Sequence, residues 1–132
     1  MTTATTPSGS DPVVVDSSGW LEYLTEDDKA DAFIPYLEGG ERVLVPTIVL
    51  YEVRKILLLR RGKSQADIFV SLALRNLIVP LDDRVALAAA ELSIHHQLPM
   101  ADAIIYATAQ LKAAQLVTTD PHFSGLPGVT VL

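Results

Sequence analysis

The sequence predicts a three-layer α/β/α domain whose central sheet is mainly parallel and has about five strands. Short apolar runs of strand length alternate with longer segments of helical pattern along the whole chain. This alternation favours helices packed on both faces of a parallel sheet. The runs are continuously apolar, which is typical of strands buried on both faces. A chain of 132 residues is long enough for one domain with a single core.

The predicted strands are short and rich in β-branched residues. The first, Val13–Val15, ends directly at Asp16. Four similar runs complete the predicted sheet, at Arg42–Val45, Leu77–Leu81, Leu116–Thr118 and Val129–Leu132.

Helical patterns with start and stop signals lie between the strands. Ser17 or Ser18 is a candidate N-cap of the first helix, Thr47 is the candidate N-cap of the third, and Gly39-Gly40 and Gly62 are candidate stops. The predicted helices span Ser18–Leu24, Asp28–Glu38, Thr47–Arg61, Ser64–Asn76, Asp82–Gln97 and Met100–Ala114.

Residues 1–11 are rich in Thr, Ser, Gly and Pro and offer almost no apolar surface, so we expect a disordered tail there. The domain is expected to span residues 12–132, without an internal repeat or linker. The tail has neither the basic region nor the apolar run of a secretory signal. Because no apolar stretch approaches the roughly 18 residues that cross a bilayer, we expect a cytoplasmic protein that does not span a membrane.

Composition excludes several kinds of chemistry. The chain contains no cysteine, so disulfides, thiolate metal sites and a cysteine nucleophile are excluded. A net charge of −6 argues against a general nucleic-acid coat, which neutralises phosphates with Lys and Arg. Any chemistry on nucleic acid must therefore be local.

Four acidic residues occupy unusual positions. Asp16 and Asp120 follow apolar strands, and charged residues at the carboxyl ends of parallel strands face the crevice in which ligands bind. Glu52 and Asp102 lie within apolar helical segments, where a carboxylate is costly to bury unless a cation or hydrogen bonds compensate it. The four positions together predict a shared acidic site.

Each acid except Glu52 also has a structural interpretation. Asp16 is a candidate helix N-cap. Asp102 lies in the first turn of a predicted helix, where a negative charge interacts favourably with the helix dipole. Asp120 is able to open a turn with the proline that follows it. Glu52 is interior to its helix and has no such explanation. The four acids together are harder to explain in this way than any one of them.

Four segments of the sequence, in order, resemble the PIN-domain family of ribonucleases. They are residues 14–21, with an Asp followed by Ser; residues 47–53, which contain Glu52; residues 98–109, which contain Asp102; and residues 116–123, which contain Asp120. A chain this short is similar to the VapC toxins of VapBC toxin–antitoxin systems. The resemblance covers residues 13–132.

The four acids require cations. Two carboxylates about 4 Å apart repel by roughly 4 kcal/mol at an effective dielectric constant of about 20, and all-oxygen ligands suit Mg²⁺, or Mn²⁺, better than Zn²⁺. The resemblance implies Mg²⁺-dependent hydrolysis of RNA phosphodiester bonds. We assign Asp16 and Asp102 as principal ligands and Asp120 as a second-side or water-mediated ligand. Glu52 either binds metal or positions the attacking water.

Two hydroxyl groups are candidates to support the carboxylates or to contact a phosphate, those of Ser17 and Thr118. For each of them, a helix cap or an ordinary strand side chain is an equally good interpretation.

Other polar residues have simpler explanations. His95-His96 ends a long helix, where a cation complements the helix dipole, and His122 is interpreted as a loop side chain. The basic stretch from Arg54 to Lys63 is explained by a helix end and by an RNA-contacting rim about equally well.

The resemblance implies an RNA substrate and a VapB-like antitoxin as partners. Helices Thr47–Leu59 and Ser64–Leu74 are apolar over more than one stripe, which predicts a homodimer and, with the antitoxin, a heterotetramer or a larger assembly.

Two rival classes of function are a non-catalytic binding module and a phosphoryl-transfer protein of the phosphatase or response-regulator kind. A non-catalytic PIN-like binding module would keep the fold without the chemistry, but the presence of all four acids argues against it. A phosphatase usually has a second Asp two residues after its nucleophile, where this chain has Ser18. A response regulator has an early acidic pair and a late strand-end Lys, and neither is evident.

Overall fold

A five-stranded sheet forms the centre of the computed structural model, which describes residues 11–38 and 42–132. The strands lie in the order β3-β2-β1-β4-β5, and all four pairings are parallel. They span β1 Val13–Val15, β2 Val43–Pro46, β3 Leu77–Val79, β4 Gln115–Thr118 and β5 Val129–Val131.

Six α-helices connect the strands in the described part of the chain: α1 Ser17–Thr25, α2 Ala30–Leu37, α3 Thr47–Arg60, α4 Lys63–Ala73, α5 Asp83–His96 and α6 Met100–Leu111. The chain steps from β1 to β2 to β3 in one direction and then returns to β4 on the far side of β1. Because parallel crossovers are right-handed, α1–α4 and α5–α6 lie on opposite faces of the sheet. The predicted three-layer α/β/α fold with a parallel sheet is confirmed.

The middle of the sheet holds the core and sets the position of the acids. All three residues of β1 are buried, and Val15 pairs with Val117 of β4. The backbone N–H of Asp16 donates to the carbonyl of Val117 at 2.9 Å, so both strands end at the same edge of the sheet. The strand ends that carry Asp16 and Asp120 are therefore neighbours.

Several predicted boundaries and caps are wrong. Asp16, not a serine, occupies the N-cap position of α1, and Pro46 occupies that of α3. The Thr47 hydroxyl instead accepts a hydrogen bond from the backbone N–H of Leu81 at 3.2 Å.

Two helices end three residues earlier than predicted. The chain turns out of α4 through a hydrogen bond from the N–H of Asn76 to the carbonyl of Ala73. Beyond α6, Ala113 adopts a left-handed conformation with φ of 52°, which does not continue a helix. The other predicted bounds agree with the structure, as at both ends of β1, or differ from it by one or two residues. The predicted Gly39-Gly40 stop lies outside the described residues, as does the predicted tail apart from Asp11.

Large apolar side chains remain exposed on the two sides of the sheet. They include Tyr51, Leu58 and Leu59 on α3, and Leu87, Ile94 and Met100 on α5 and at the start of α6. None of the helices in the described ranges combines the length and the apolar character that crossing a membrane demands.

Candidate active site

Asp16 is the most buried of the four acids, with 5% of its surface exposed. Its Oδ2 accepts hydrogen bonds from the hydroxyls of Thr118 at 2.8 Å and Ser18 at 3.0 Å. The side chain makes no capping hydrogen bond to α1, although the residue occupies the N-cap position. The capping interpretation therefore explains the backbone of Asp16 but not its carboxylate.

The surroundings of Asp16 disfavour its ionised form. Burial raises the pKa of Asp16 above its usual value, and the charge of Asp120 raises it further. Hydrogen bonds from Thr118, Ser18 and the backbone of Ser17 lower the pKa without cancelling the rise. The site thus keeps a carboxylate where ionisation is costly.

Glu52 lies on α3, half-buried, and faces α1. The Ser17 hydroxyl donates to its Oε1 at 2.7 Å. Ser17 follows Asp16 directly in the chain, so one serine connects the end of β1 to the helix that carries Glu52.

Asp120 opens a short 3₁₀ turn, Pro121–Phe123, after β4. Its Oδ1 accepts from the backbone N–H of His122 at 2.9 Å and also lies 2.9 Å from Nδ1 of the His122 ring. Its own backbone N–H donates to the Thr118 hydroxyl at 2.9 Å. The structural interpretation of Asp120 as a turn-opening residue is therefore correct, and the same residue is also tied to Asp16 through Thr118.

Asp102 brings the four acids into one electrostatic site. It lies in the first turn of α6, where the helix dipole should lower a carboxylate pKa. Instead, the pKa of Asp102 is raised to about 6. Burial is the largest cause, the charges of Asp16, Asp120 and Glu52 add to it, and His122 opposes them. A dipole role alone does not account for this residue.

The sequence interpretation missed Ser18 as a functional residue. Its hydroxyl donates to Asp16, lies 3.4 Å from the Thr118 hydroxyl and accepts from the backbone N–H of Thr119 at 3.2 Å. The pattern contained a signal, because a serine two residues after a strand-end Asp lies in the first turn of the next helix, beside that strand end. The structure also places Ser17 and Thr118, the two predicted hydroxyls, against the carboxylates Glu52 and Asp16.

The donor chemistry of the site suits a divalent cation. Four carboxylates supply only oxygen ligands, as Mg²⁺ and Mn²⁺ prefer, and a cation would offset the repulsion that Asp102 experiences. Within residues 11–38 and 42–132, however, no group of three or more acidic or histidine side chains is arranged to hold an ion as it stands. Binding would therefore require some of these side chains to move towards the ion.

The remaining polar residues of interest lie in other contacts. Arg54 and Lys63 both pair with Asp67, at 3.0 and 2.6 Å, so part of the basic stretch forms a local ion-pair network. His95 and His96 lie in the last turn of α5 as expected, and the His96 ring meets Tyr106 edge to face.

Comparisons with known proteins agree with this geometry. A model of the PIN domain matches residues 13–129. A comparison with curated protein sequences finds no match.

Solved structures with a similar fold include several toxins. A toxin–antitoxin complex from Klebsiella pneumoniae has a TM-score of 0.76 and 23% identity, over 90% of this chain and 96% of that chain. VapC20 from Mycobacterium tuberculosis, a toxin that cleaves the sarcin–ricin loop, has a TM-score of 0.76 and 22% identity, over 90% of this chain and 98% of that chain. DNA-bound VapBC from Salmonella typhimurium has a TM-score of 0.71 and 15% identity, over 92% of this chain and 97% of that chain.

The raised pKa of Asp102 predicts how metal-free stability depends on pH. The folded state binds this proton more tightly than the unfolded state, whose carboxyl has its ordinary pKa of 3.8, so stability should rise as the pH falls from about 7.5 to 5. Thermal unfolding in EDTA should show a melting temperature that is higher at pH 5. Asp102→Asn should flatten this dependence and stabilise the metal-free protein at pH 7.5.

Asp67 provides the matched control. Its ion pairs lower its pKa, so Asp67→Asn should leave the rise toward pH 5 in place and should not stabilise the protein at pH 7.5. An Asp102→Asn variant that melts below the wild type at pH 7.5 would contradict the repulsive site.

Proposed function

Since the chain belongs to the PIN-domain family, we propose that it is a metal-dependent endoribonuclease and the toxin of a VapBC-type toxin–antitoxin pair. The observation that carries the proposal is the convergence of Asp16, Glu52 and Asp120 on Asp102, whose pKa all three raise. An acidic site of this kind gains stability when it binds a cation, and a cation-loaded site is suited to a phosphodiester. An RNA target would place the protein in the cytoplasm.

The chemistry divides between metal and side chains. Bound Mg²⁺ or Mn²⁺ would activate a water molecule and offset charge on the attacked phosphate. Asp16 and Asp102 would be the principal ligands and Asp120 a second-side ligand, while Glu52 would bind metal or orient the water. Ser17 orients Glu52 by its 2.7 Å hydrogen bond. Ser18 and Thr118 hold Oδ2 of Asp16 in place.

Loss of either principal ligand should abolish activity. Asp16→Asn and Asp102→Asn should each reduce cleavage of mixed RNA by about two orders of magnitude or more, because each removes a charge that holds the cation. The measurement is cleavage by purified protein with Mg²⁺ and with EDTA. Asp67→Asn, which changes a surface carboxylate outside the site, should cleave like the wild type.

Wild-type cleavage by Asp16→Asn or Asp102→Asn would reject the assignment. A wild-type protein that cleaves no RNA with any divalent cation, but binds a partner protein, would support the alternative of a non-catalytic binding module.

A small antitoxin is the natural inhibitor in this proposal, as the toxin–antitoxin complexes among the similar structures suggest. A basic segment would be attracted to the acidic site of a protein with net charge −6. An Arg guanidinium is able to pair with carboxylates bidentately where metal would otherwise bind. Antitoxin and Mg²⁺ should therefore compete.

Growth provides the test of toxicity. Induced wild-type protein should arrest growth when it is produced alone, should not do so when the neighbouring open reading frame is produced with it, and should not do so as Asp16→Asn. Robust growth of cells that contain soluble, active, unpartnered wild-type protein would rule out the toxin role.

A homodimer is also proposed, because the exposed apolar residues of α3 and α5 need cover that the monomer does not provide. Sedimentation at tens of micromolar should show a dimer for the wild type and a monomer for Leu59→Glu. Arg60→Glu, which introduces the same residue at the neighbouring exposed position, should stay dimeric. A monomeric wild type would count against the dimer and against the heterotetramer or larger assembly with antitoxin.

A further inference from the structure

The turn after β4 contains a side chain that the proposed mechanism has not used. We propose that His122 is a positioning residue, whose ring Nδ1–H fixes Oδ1 of Asp120 so that Oδ2 remains free to serve the acidic site. The inference rests on the proposed function, because it assigns a role within the same site. It concerns the orientation of one carboxylate and requires no change in the charge of the ring.

Two donors from the same residue meet on one oxygen. The backbone N–H of His122 and its ring Nδ1 both lie 2.9 Å from Oδ1 of Asp120. Because Asp120 is an acceptor, the ring nitrogen that faces it carries the hydrogen. A single hydrogen bond to the oxygen leaves the carboxylate free to rotate about it, whereas a second donor from another direction restricts that rotation. The ring therefore adds an orientation that the backbone alone does not supply.

The turn itself is fixed by the packing of its last residue, Phe123, in the core. Phe123 is fully buried and meets the ring of Tyr106 edge to face, with 6.4 Å between the centroids. The Tyr106 hydroxyl in turn donates to the carbonyl of Pro127 at 2.8 Å. The His122 side chain, by contrast, is 75% exposed. Its replacement should remove the contact to Asp120 while leaving the packing of the turn intact.

A continuous set of hydrogen bonds connects this turn to the most buried acid. Asp120 donates its backbone N–H to the Thr118 hydroxyl, which donates to Oδ2 of Asp16. His122 lowers the pKa of Asp102, whereas the other three acids raise it, so His122 lies within electrostatic range of Asp102. The ring is thus attached to the edge of the acidic site and is not an ordinary loop side chain.

Metal affinity measured without RNA tests the role directly. Loss of an outer hydrogen-bond partner of a ligand typically costs about 10–100-fold in metal affinity or activity. His122→Ala should therefore raise the Mn²⁺ dissociation constant in calorimetry about tenfold or more and raise the Mg²⁺ concentration for half-maximal RNA cleavage in parallel. Asp120→Asn should weaken binding at least as much.

Two further substitutions of His122 distinguish the position of its hydrogen-bond donor from the size of its side chain. The amide nitrogen of Asn occupies nearly the place of imidazole Nδ1, so His122→Asn should restore binding to within a few-fold of the wild type. His122→Gln places its amide nearer to Nε2 and should bind as weakly as His122→Ala. His95→Ala, a change at an exposed histidine of α5, should bind and cleave like the wild type. Melting temperatures of the histidine variants in EDTA should stay close to that of the wild type.

Three results would overturn the positioning role: wild-type affinity in His122→Ala, equal weakness in His122→Asn and His122→Ala, or wild-type affinity in Asp120→Asn. Failure of the proposed function has a different signature. In that case the wild type and Asp16→Asn would behave alike towards RNA, whatever the order of Mn²⁺ affinities among the His122 variants.

Discussion

Repulsion among carboxylates at one edge of a parallel sheet is the constraint on which the rest of this structure depends. The pairing of β1 with β4 aligns Val15 with Val117, so both strands end together and place Asp16 and Asp120 side by side. Helices α3 and α6 add Glu52 and Asp102 from either side of that edge. The result is visible in the raised pKa values of Asp16 and Asp102. A fold selected for stability alone would have little reason to keep such a cluster.

Neutral hydroxyls compensate the acids without cancelling their charge. Ser17, Ser18 and Thr118 all direct hydroxyl groups at carboxylate oxygens, over 2.7 to 3.0 Å. Hydrogen bonds of this kind stabilise the ionised form and orient it. A Lys or Arg in the same places would neutralise the site and compete with a cation. The hydroxyls therefore preserve both the negative charge and the orientation that the proposed metal site needs.

The sequence indicated the fold and the four acids because both depend on local patterns. Apolar runs and helical periodicity mark the layers, and Asp16 and Asp120 are recognisable as charges at strand ends. Thr118 was named as a candidate hydroxyl, but local patterns could not assign its partner, because Asp16 and Thr118 are 102 positions apart in the chain. Thr47 was predicted as a cap for the same reason: the capping rule is local, whereas its actual partner, Leu81, is 34 positions away. His122 was interpreted as a loop residue because the sequence does not reveal the direction of a ring in a turn.

The central claim is that the four acids form one cation site, and a crystal structure of the wild-type protein grown with Mn²⁺ tests it most directly. The anomalous signal of manganese locates the ion independently of any assumption about its ligands. We expect a peak bound by Asp16 and Asp102 at about 2 Å, with Asp120 bound directly or through water. Crystals grown at neutral pH that show no manganese among these carboxylates, or manganese bound only elsewhere on the surface, would contradict it.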